Sequence, residues 1–362
     1  MTPKQQEALD AIAQHGGERT AAKALGISRS ALRDRLERID PAIQDAMQAV
    51  QTDLVPALAW AKTKSEDGTS YSVLLKPPAE DGPSLAERVR EALEGLTPAP
   101  PVDAPEYTDD ALCTVVPLAD GHIGMMAWGA ETGEDYDTGL AVARIRNWVG
   151  RVIDASPSSG TAIILDVGDL THADDQTNQT PKSKHGLDVD TRHFRTLDVT
   201  IAALAYSIDY ALRKHRKVVV RILPGNHNPH SYMVVMFALA ERYRNEPRVE
   251  VQKVPGEFFL FEFGKVMIAA HHGDKAKADR IVHFLADQYA ESWGRTKHRF
   301  LFTGHLHHHK SQDIGGVTHE QLRALTARDA YAVSHAYTAR SQLQAITYHR
   351  DLGEIQRVKV GA

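Results

Sequence analysis

The sequence predicts a mixed α/β sandwich preceded by a small all-α domain, and three observations carry that expectation. From about residue 107, apolar runs alternate with stretches of helical period, the pattern of strands packed against helices. Just before it, Pro98, Pro100, Pro101 and Pro105 crowd together, as in a semi-rigid linker. The third observation is histidine: of 19 in the chain, only His15 precedes residue 107. Crowded histidines with almost no cysteine suit metal sites of nitrogen and oxygen donors.

The 362 residues hold 42 Lys+Arg against 47 Asp+Glu, a formal charge of −5, with 42% hydrophobic and 25% charged residues. That is ordinary for a soluble globular chain, and the length fits roughly two domains. The longest apolar runs, 162–165 and 258–261, fall far short of the roughly 20 residues a membrane helix needs. The first ten residues lack a basic start followed by an apolar stretch, so no secretory signal is expected. Cys113 is alone, which excludes an internal disulfide and a thiolate zinc cage. A reducing, cytoplasmic setting without a membrane partner is the expectation.

The expected organisation is a DNA-binding head over 1–45, a helical and proline-rich connector over 46–106, and a catalytic domain over 107–362. In the head, Ala8, Ile12 and Ala13 share a helical face and Gly16 and Gly17 close that helix. A second helix carries Ala21, Ala22 and Leu25 and breaks at Gly26, Ile27 and Ser28. Ser28 is a natural N-cap for a third helix, with Leu32, Leu36 and Ile39 inward and Arg29, Arg33, Arg35 and Arg38 outward. Two short helices, a glycine turn and an Arg-bearing helix are the features of a helix-turn-helix. The run from Gly26 to Leu36 resembles the DNA-binding end of the factor-for-inversion-stimulation family, over about residues 17–39 only. The resemblance implies that the four arginines meet phosphates or guanine edges, and that the head works as a homodimer on two half-sites. Glu18, Asp34 and Glu37 dilute the basic face, and a helical docking module with solvated arginines is the plainer alternative.

In the connector, a helical stretch to about Ala61 leads to a strand or hairpin over 68–75 and a short charged helix near 85–93. Beyond it, strands are expected at 112–119, 162–166, 218–223, 258–263, 266–270 and 300–303, from their apolar runs. Helices are expected at 141–153, 197–212, 233–243 and 278–289, from the 3.6-residue spacing of apolar positions. Gly264 and Lys265 separate two strands by two residues, a hairpin signal. The segments 344–348 and 355–360 form another around Gly353.

Polar motifs follow the strands, where α/β proteins place ligand-binding loops. The first strand leads to Asp120, Gly121 and His122, the second to Gly168 and Asp169, and the third to Gly225, Asn226 and His227. The 266–270 strand ends in His271, His272 and Gly273, and the 300–303 strand in Gly304, His305, Leu306 and His307. Asp, Asn and neutral imidazole suit Mn, Fe or Zn, whereas a pure oxygen set would suit Mg. One such dipeptide is weak evidence; five in order, each after a strand, are not.

Together these motifs resemble the calcineurin-like metallophosphoesterases, with the pattern D-x-H, G-D, G-N-H-D/E, H and G-H-x-H, over about residues 110–360. The resemblance implies two facing β-sheets flanked by helices, with a two-metal site at the strand ends. It further implies one ion on Asp120, His122, Asp169 and His307, and a second on the bridging Asp169 with Asn226, His272 and His305. His227 becomes the catalytic histidine that binds no metal. Two divalent ions are the implied cofactors, manganese first, with iron, zinc, nickel or magnesium as alternatives. Paired ions clamp a phosphate and acidify a bridging water to hydroxide, and a protonated His227 assists the leaving oxygen. His272 is favoured over His271 because it directly precedes Gly273. His172 and Asp174 divide between an orienting role and a plain loop role. Asn228 departs from the family, which places an acid there, so His227 would need a substitute such as Asp174 or Asp175.

The segment Gly168–Asp174 lacks the arginine of the phosphoprotein-phosphatase signature GDxxDRG and is more similar to the DNA-repair exonuclease branch. Lys182, Lys184, Arg192 and Arg195 add a basic loop able to contact phosphates. The expected function is therefore a metal-dependent DNA phosphodiesterase or nuclease. A phosphoesterase of small or cyclic nucleotides, and a DNA-binding regulator with a structural metal centre, are the alternatives.

Overall fold

The computed structural model describes residues 3–15, 17–36, 59–64, 70–75 and 98–361. The chain divides into two compact units, Met1–Ala86 and Glu87–Ala362.

The first unit contains three short helices, α1 (Pro3–His15), α2 (Glu18–Ala24) and α3 (Arg29–Leu36). Ala8, Ala11, Ala21, Ala22 and Leu32 form their shared core, with Ile12, Leu25 and Ile27 packed against it. Small alanines let the helices approach closely, so little apolar area is needed to hold them. Gly26 supplies the left-handed turn residue between α2 and α3, at φ 63°. Ser28 caps α3 by accepting a hydrogen bond from the Ala31 amide at 3.1 Å. Two strands, β1 (Ala59–Lys64) and β2 (Ser70–Leu75), pair antiparallel from Ala59↔Leu75 to Lys64↔Ser70. The helical expectation to Ala61 therefore fails from Ala59 onward. The alanines favour helix, but Trp60, Lys62 and Lys64 alternate with smaller residues at the period of a strand, and pairing with β2 overrides local propensity.

The second unit is a four-layer sandwich. Its larger sheet runs β13-β12-β3-β4-β5-β6, with β3 (Asp109–Leu118), β4 (Ser159–Asp166), β5 (Lys217–Ile222), β6 (Val249–Val251), β12 (Gln342–His349) and β13 (Gly353–Gly361). Strands β3 to β6 are parallel, and β12 and β13 extend the sheet antiparallel. The smaller sheet runs β10-β11-β9-β8-β7, from β7 (Phe259–Phe263), β8 (Val266–Ala270), β9 (His298–Thr303), β10 (Lys310–Ile314) and β11 (Val317–Gln321). The β10–β11 hairpin around Gly315 and Gly316 and the short β6 were absent from the expected elements, because neither carries a sustained apolar run.

Period-two alternation sorts each strand between layers. Ile163 and Leu165 of β4 face the second sheet, packed with Phe259, Ile268 and Phe302. Ala162 and Ile164 face helices α5 (Thr138–Ala155), α6 (His193–Leu212) and α7 (Ser231–Arg242), through Val149, Leu204 and Leu239. On the outside of the smaller sheet, Ala269 and Leu301 pack against Ile281, Val282 and Leu285 of α8 (Ala278–Gln288). Asp137 caps α5 by accepting from the Leu140 amide at 2.7 Å. Three short helices complete the described unit: α4 (Gly129–Thr132), α9 (Ala290–Arg295) and α10 (Ala330–Ser334). The expected two-sheet class and helical flanks agree with this architecture. Among the described residues, no helix is long and apolar enough to cross a membrane.

Candidate metal centre

The parallel strands β3, β4 and β5 and the neighbouring β8 and β9 end on the same side, and the five sequence motifs lie in the loops that follow them. These loops come close enough to exclude side chains: a Cβ on Gly304 would lie 2.7 Å from an Asp120 carboxylate oxygen, and one on Gly225 would collide with Asp169. The glycines are needed because their neighbours are the polar side chains that converge.

Two donor clusters result. In one, His122 Nε2 lies 3.2 Å from His307 Nε2, and His307 Nε2 lies 3.4 Å from Asp120 Oδ1. In the other, His272 Nε2 lies 3.0 Å from Asp169 Oδ2 and 3.1 Å from Asn226 Oδ1, with His305 alongside. His272 is fixed from behind by a 3.0 Å hydrogen bond from Nδ1 to the Val167 carbonyl. Asp120 also accepts from the His305 amide at 3.0 Å. His271, by contrast, turns to Phe258 and accepts from the Gly273 amide at 2.9 Å. All seven residues expected as ligands are thus gathered, Asp169, Asn226, His272 and His305 in one group and Asp120, His122 and His307 in the other.

The backbone is under strain where these side chains are held. Asp120, His122, Asp169, His305 and His307 all have φ between 41° and 70°, and they make up five of the eight non-glycine residues with positive φ in the described chain. Each such residue costs roughly 1–3 kcal/mol and persists only where surroundings impose it. Strain concentrated at one cluster of donors marks a functional site.

Electrostatics separates the donors. Burial, reinforced by His227 and His307, holds His122 far below the usual imidazole range, so it is a neutral nitrogen donor. Burial would push Asp169 up, but the charge and hydrogen bond of His272 hold it well below the usual carboxylate range. Burial would lower His272 in turn, yet Asp169 and Asp120 bring it up to about 10. Two converging Nε2 atoms 3.2 Å apart, carboxylates beside both clusters and few fixed cations make a donor set suited to two borderline divalent ions.

His227 stands beside this set. Its amide donates to Asp169 Oδ1 at 2.8 Å, and its ring Nδ1 donates to the His172 carbonyl at 2.8 Å. That bond fixes the tautomer and leaves Nε2 uncommitted. Asp174 and Asp175 are engaged elsewhere, Asp175 by accepting from the Thr177 amide at 2.7 Å. Asp174 instead accepts from the His230 and Ser231 amides at 3.0 and 2.7 Å, capping α7. Asn228 Oδ1 takes the Gly225 and Asp169 amides at 2.9 and 3.2 Å, so it braces the ligand loop.

His172, which sequence left open, is brought into the site: its Nδ1 lies 3.2 Å from His122 Nδ1 and its ring stacks on His227 at 5.3 Å. The three rings converge as a group without a carboxylate. Burial holds His172 down at about 3, and its contact to the back of His122 orients a ligand rather than adding one. His308 is exposed and its Nδ1 donates to the Leu306 carbonyl, while His309 approaches Glu320. In the first unit, Arg29 is exposed and paired with Glu18 at 3.2 Å. Arg33 and Arg35 lie on α3, their side chains outside the described set, and Arg38 lies outside the described residues.

No protein-family model and no curated protein matches this sequence. Among solved structures, the chain is similar to a dimetal phosphatase from Danio rerio at 10% identity, covering 68% of this chain and 98% of that one, with a TM-score of 0.38. An archaeal phosphodiesterase follows at 11% identity, 69% and 99% coverage and a TM-score of 0.35. Wild-type Vps29 from Entamoeba histolytica, solved with zinc, stands at 13% identity, 68% and 98% coverage and 0.26.

Proposed function

We propose that this protein is a two-metal phosphodiester hydrolase whose substrate is DNA. The observation that carries the reading is the pair of Asp/His donor clusters, one at Asp120 and one at Asp169, with the uncommitted Nε2 of His227 beside them. Asp120, His122 and His307 would hold one ion and Asn226, His272 and His305 the other, with Asp169 available to both. When bound, the ions neutralise a phosphate's charge and make water acidic enough to attack near neutral pH.

The chain's own groups supply the rest. Water adds to phosphorus and gives up a proton to solvent as the P–O bond to the leaving alcohol breaks, and the departing oxygen takes a proton. Protonated His227 is placed to give that proton from Nε2, because Nδ1 is held by the His172 carbonyl. Asn228 and His172 keep this arrangement in register by bracing the Asp169 loop and the back of His122.

The DNA assignment draws on two features. One is the arginine-bearing third helix of the first unit, read as a DNA contact. The other is the loop carrying Lys182, Lys184 and Arg192, with Arg195 following in the first turn of α6, all exposed. It runs along the His122 loop, with the Met126 amide on the Asp188 carbonyl at 2.9 Å and the Asp190 amide on Gly124 at 3.2 Å. A basic loop beside the donors suits a polymeric phosphodiester.

The test is metal analysis followed by hydrolysis of bis(p-nitrophenyl) phosphate, p-nitrophenyl phosphate and DNA, with manganese, zinc and magnesium in turn. Two ions per chain, diester over monoester and DNA cleavage are expected. Turnover of nucleotides without DNA, unchanged when residues 1–106 are removed, would replace DNA by a small substrate. A loaded protein that binds DNA and hydrolyses nothing would make the centre structural.

A further inference from the structure

The metal centre has a rim whose exposed side chains its hydrolytic chemistry does not explain. Residues 326–341 leave the sheet beside Asp120 and return at the same point: the Thr326 amide donates to the Asp120 carbonyl at 3.2 Å, and Ser341 Oγ donates to the Thr326 carbonyl at 2.6 Å. The excursion is braced at its start, where Asp329 caps α10 through the Ala332 amide at 2.8 Å. Arg328 ties it to the loop after His122 by donating to the Thr132 carbonyl at 3.2 Å. A firmly anchored loop then presents three aromatic rings to solvent. Tyr331 and His335 lie 4.1 Å apart between centroids and His335 and Tyr337 5.9 Å, with interplanar angles of 32° and 31°. Tyr331 and Tyr337 are 59% and 57% exposed, and the His335 ring is fixed by a 2.9 Å bond from Nδ1 to the Tyr331 carbonyl. Burying these rings against each other leaves their outer faces in water, which costs free energy unless something flat and apolar covers them.

We propose that this aromatic ladder stacks the bases of an unpaired nucleic-acid strand whose phosphate lies in the metal centre, so that the preferred substrate is single-stranded. The inference rests on the hydrolase reading and names the substrate form of the same site. Base stacking on aromatic side chains is tolerant of sequence and pairs with cations that track the phosphates. Exposed Arg340 follows the ladder, and the loop carrying Lys182 and Lys184 meets the segment after His122 through the Met126 amide on the Asp188 carbonyl. A paired duplex keeps its bases stacked on one another and has no free base face to offer at the rim. An apolar peptide would cover the rings but would gain nothing from the arginine and lysines beside a phosphate site.

The experiment uses the full chain, loaded with manganese, and a four-nucleotide thymidylate. Each base stacked on an aromatic ring is worth about 1–3 kcal/mol, so Tyr331→Ala with Tyr337→Ala should lower kcat/KM on the tetranucleotide at least about 10-fold more than on bis(p-nitrophenyl) phosphate. Tyr331→Phe with Tyr337→Phe should restore the ratio, because the ring face and not the hydroxyl is used. Independently of turnover, a tetranucleotide carrying 5-iodouracil should photo-cross-link to Tyr331, His335 or Tyr337, as mapped by mass spectrometry. Equal losses on both substrates, or cross-links confined to other segments, would overturn the ladder while diester hydrolysis stands. Absence of hydrolysis on both substrates would overturn the hydrolase reading instead, and the cross-link would still decide the ladder.

Discussion

Asp169 and Glu320 are both buried carboxylates at or near strand ends, and each has a histidine beside it, His272 at 3.0 Å and His309 at 3.3 Å. Around Glu320 the remaining positions are filled. Arg357 donates to both carboxylate oxygens, at 2.8 and 2.6 Å, Gln344 donates at 2.8 Å, and Glu354 holds the other side of the guanidinium. A resident cation completes that cluster, and it sits on the regular strands β11, β12 and β13. Among the described residues no guanidinium pairs with Asp169; its partners are a titratable imidazole and an amide, on a loop with φ 56°. The difference separates a polar cluster built for structure from one built for a ligand. The first carries its own fixed charge on relaxed backbone, while the second leaves lone pairs converging on strained backbone.

The strongest way to break this contrast is to remove each carboxylate. Asp169→Ala should cost about 10³-fold or more in kcat/KM on bis(p-nitrophenyl) phosphate, because the residue between two ions is lost. Elemental analysis should show the metals leaving with it. His227→Ala should cost about 10²–10⁴-fold while both ions stay bound, so metal content distinguishes the two variants. Retained metal in Asp169→Ala would end its assignment as the bridge.

Glu320→Ala should act on stability instead. It leaves a partly buried guanidinium with Glu354 and the Gln344 amide oxygen but one carboxylate fewer, and loss of one partner of a buried pair costs about 3–5 kcal/mol, here nearer 2–3 because Arg357 is partly exposed. Burial would raise the Glu320 carboxyl, but Arg357 and Gln344 hold it below its usual range. Its contribution is therefore present above the unfolded carboxylate pKa and lost as pH falls through the folded one. Urea denaturation at pH 7 and pH 4 reads both effects: the wild type should lose part of its margin on acidification, and the variant should lose less.

The same contrast explains what sequence made legible. The donor loops could be read because each begins where an apolar strand stops, and because glycine beside a histidine or carboxylate is a local signature. Strand bounds over 266–270 agree with β8 to the residue, since the five residues are all apolar and flanked by turn signals. The Glu320 cluster is illegible in sequence: β10 and β11 alternate polar residues without an apolar run, and Glu320 meets Gln344 and Arg357 only where the two sheets pack together. His172 was half legible for a related reason. Its nearness to Asp169 in sequence is visible, but the contact of its Nδ1 with His122 depends on how two loops pass each other. Asn228 looked like a missing acid because spacing placed it beside His227, whereas its side chain turns back to the Gly225 and Asp169 amides.

The smallest expected effect asks which cluster exchanges protons with its ligand. His272 is brought up to about 10 by Asp169, from an ordinary value near 6.5. Its charged form therefore stabilises the metal-free fold fully below pH 6.5, and that contribution fades as pH rises through about 10. A metal ion needs the Nε2 lone pair, so uptake must expel this proton. His122 and His305 are held low by burial and by neighbouring histidines, so they supply none at neutral pH, and Asp169 is already ionised. Between pH 7 and 9, metal uptake should release about one proton per chain from His272 and a further fraction from His307, which burial would lower but Asp120 raises, with affinity rising as pH rises. Titration calorimetry in two buffers of different ionisation enthalpy counts that release, and no buffer dependence would contradict the assignment. Glu320→Ala should leave the count unchanged, because a cluster with its own guanidinium has no proton to give up to a metal.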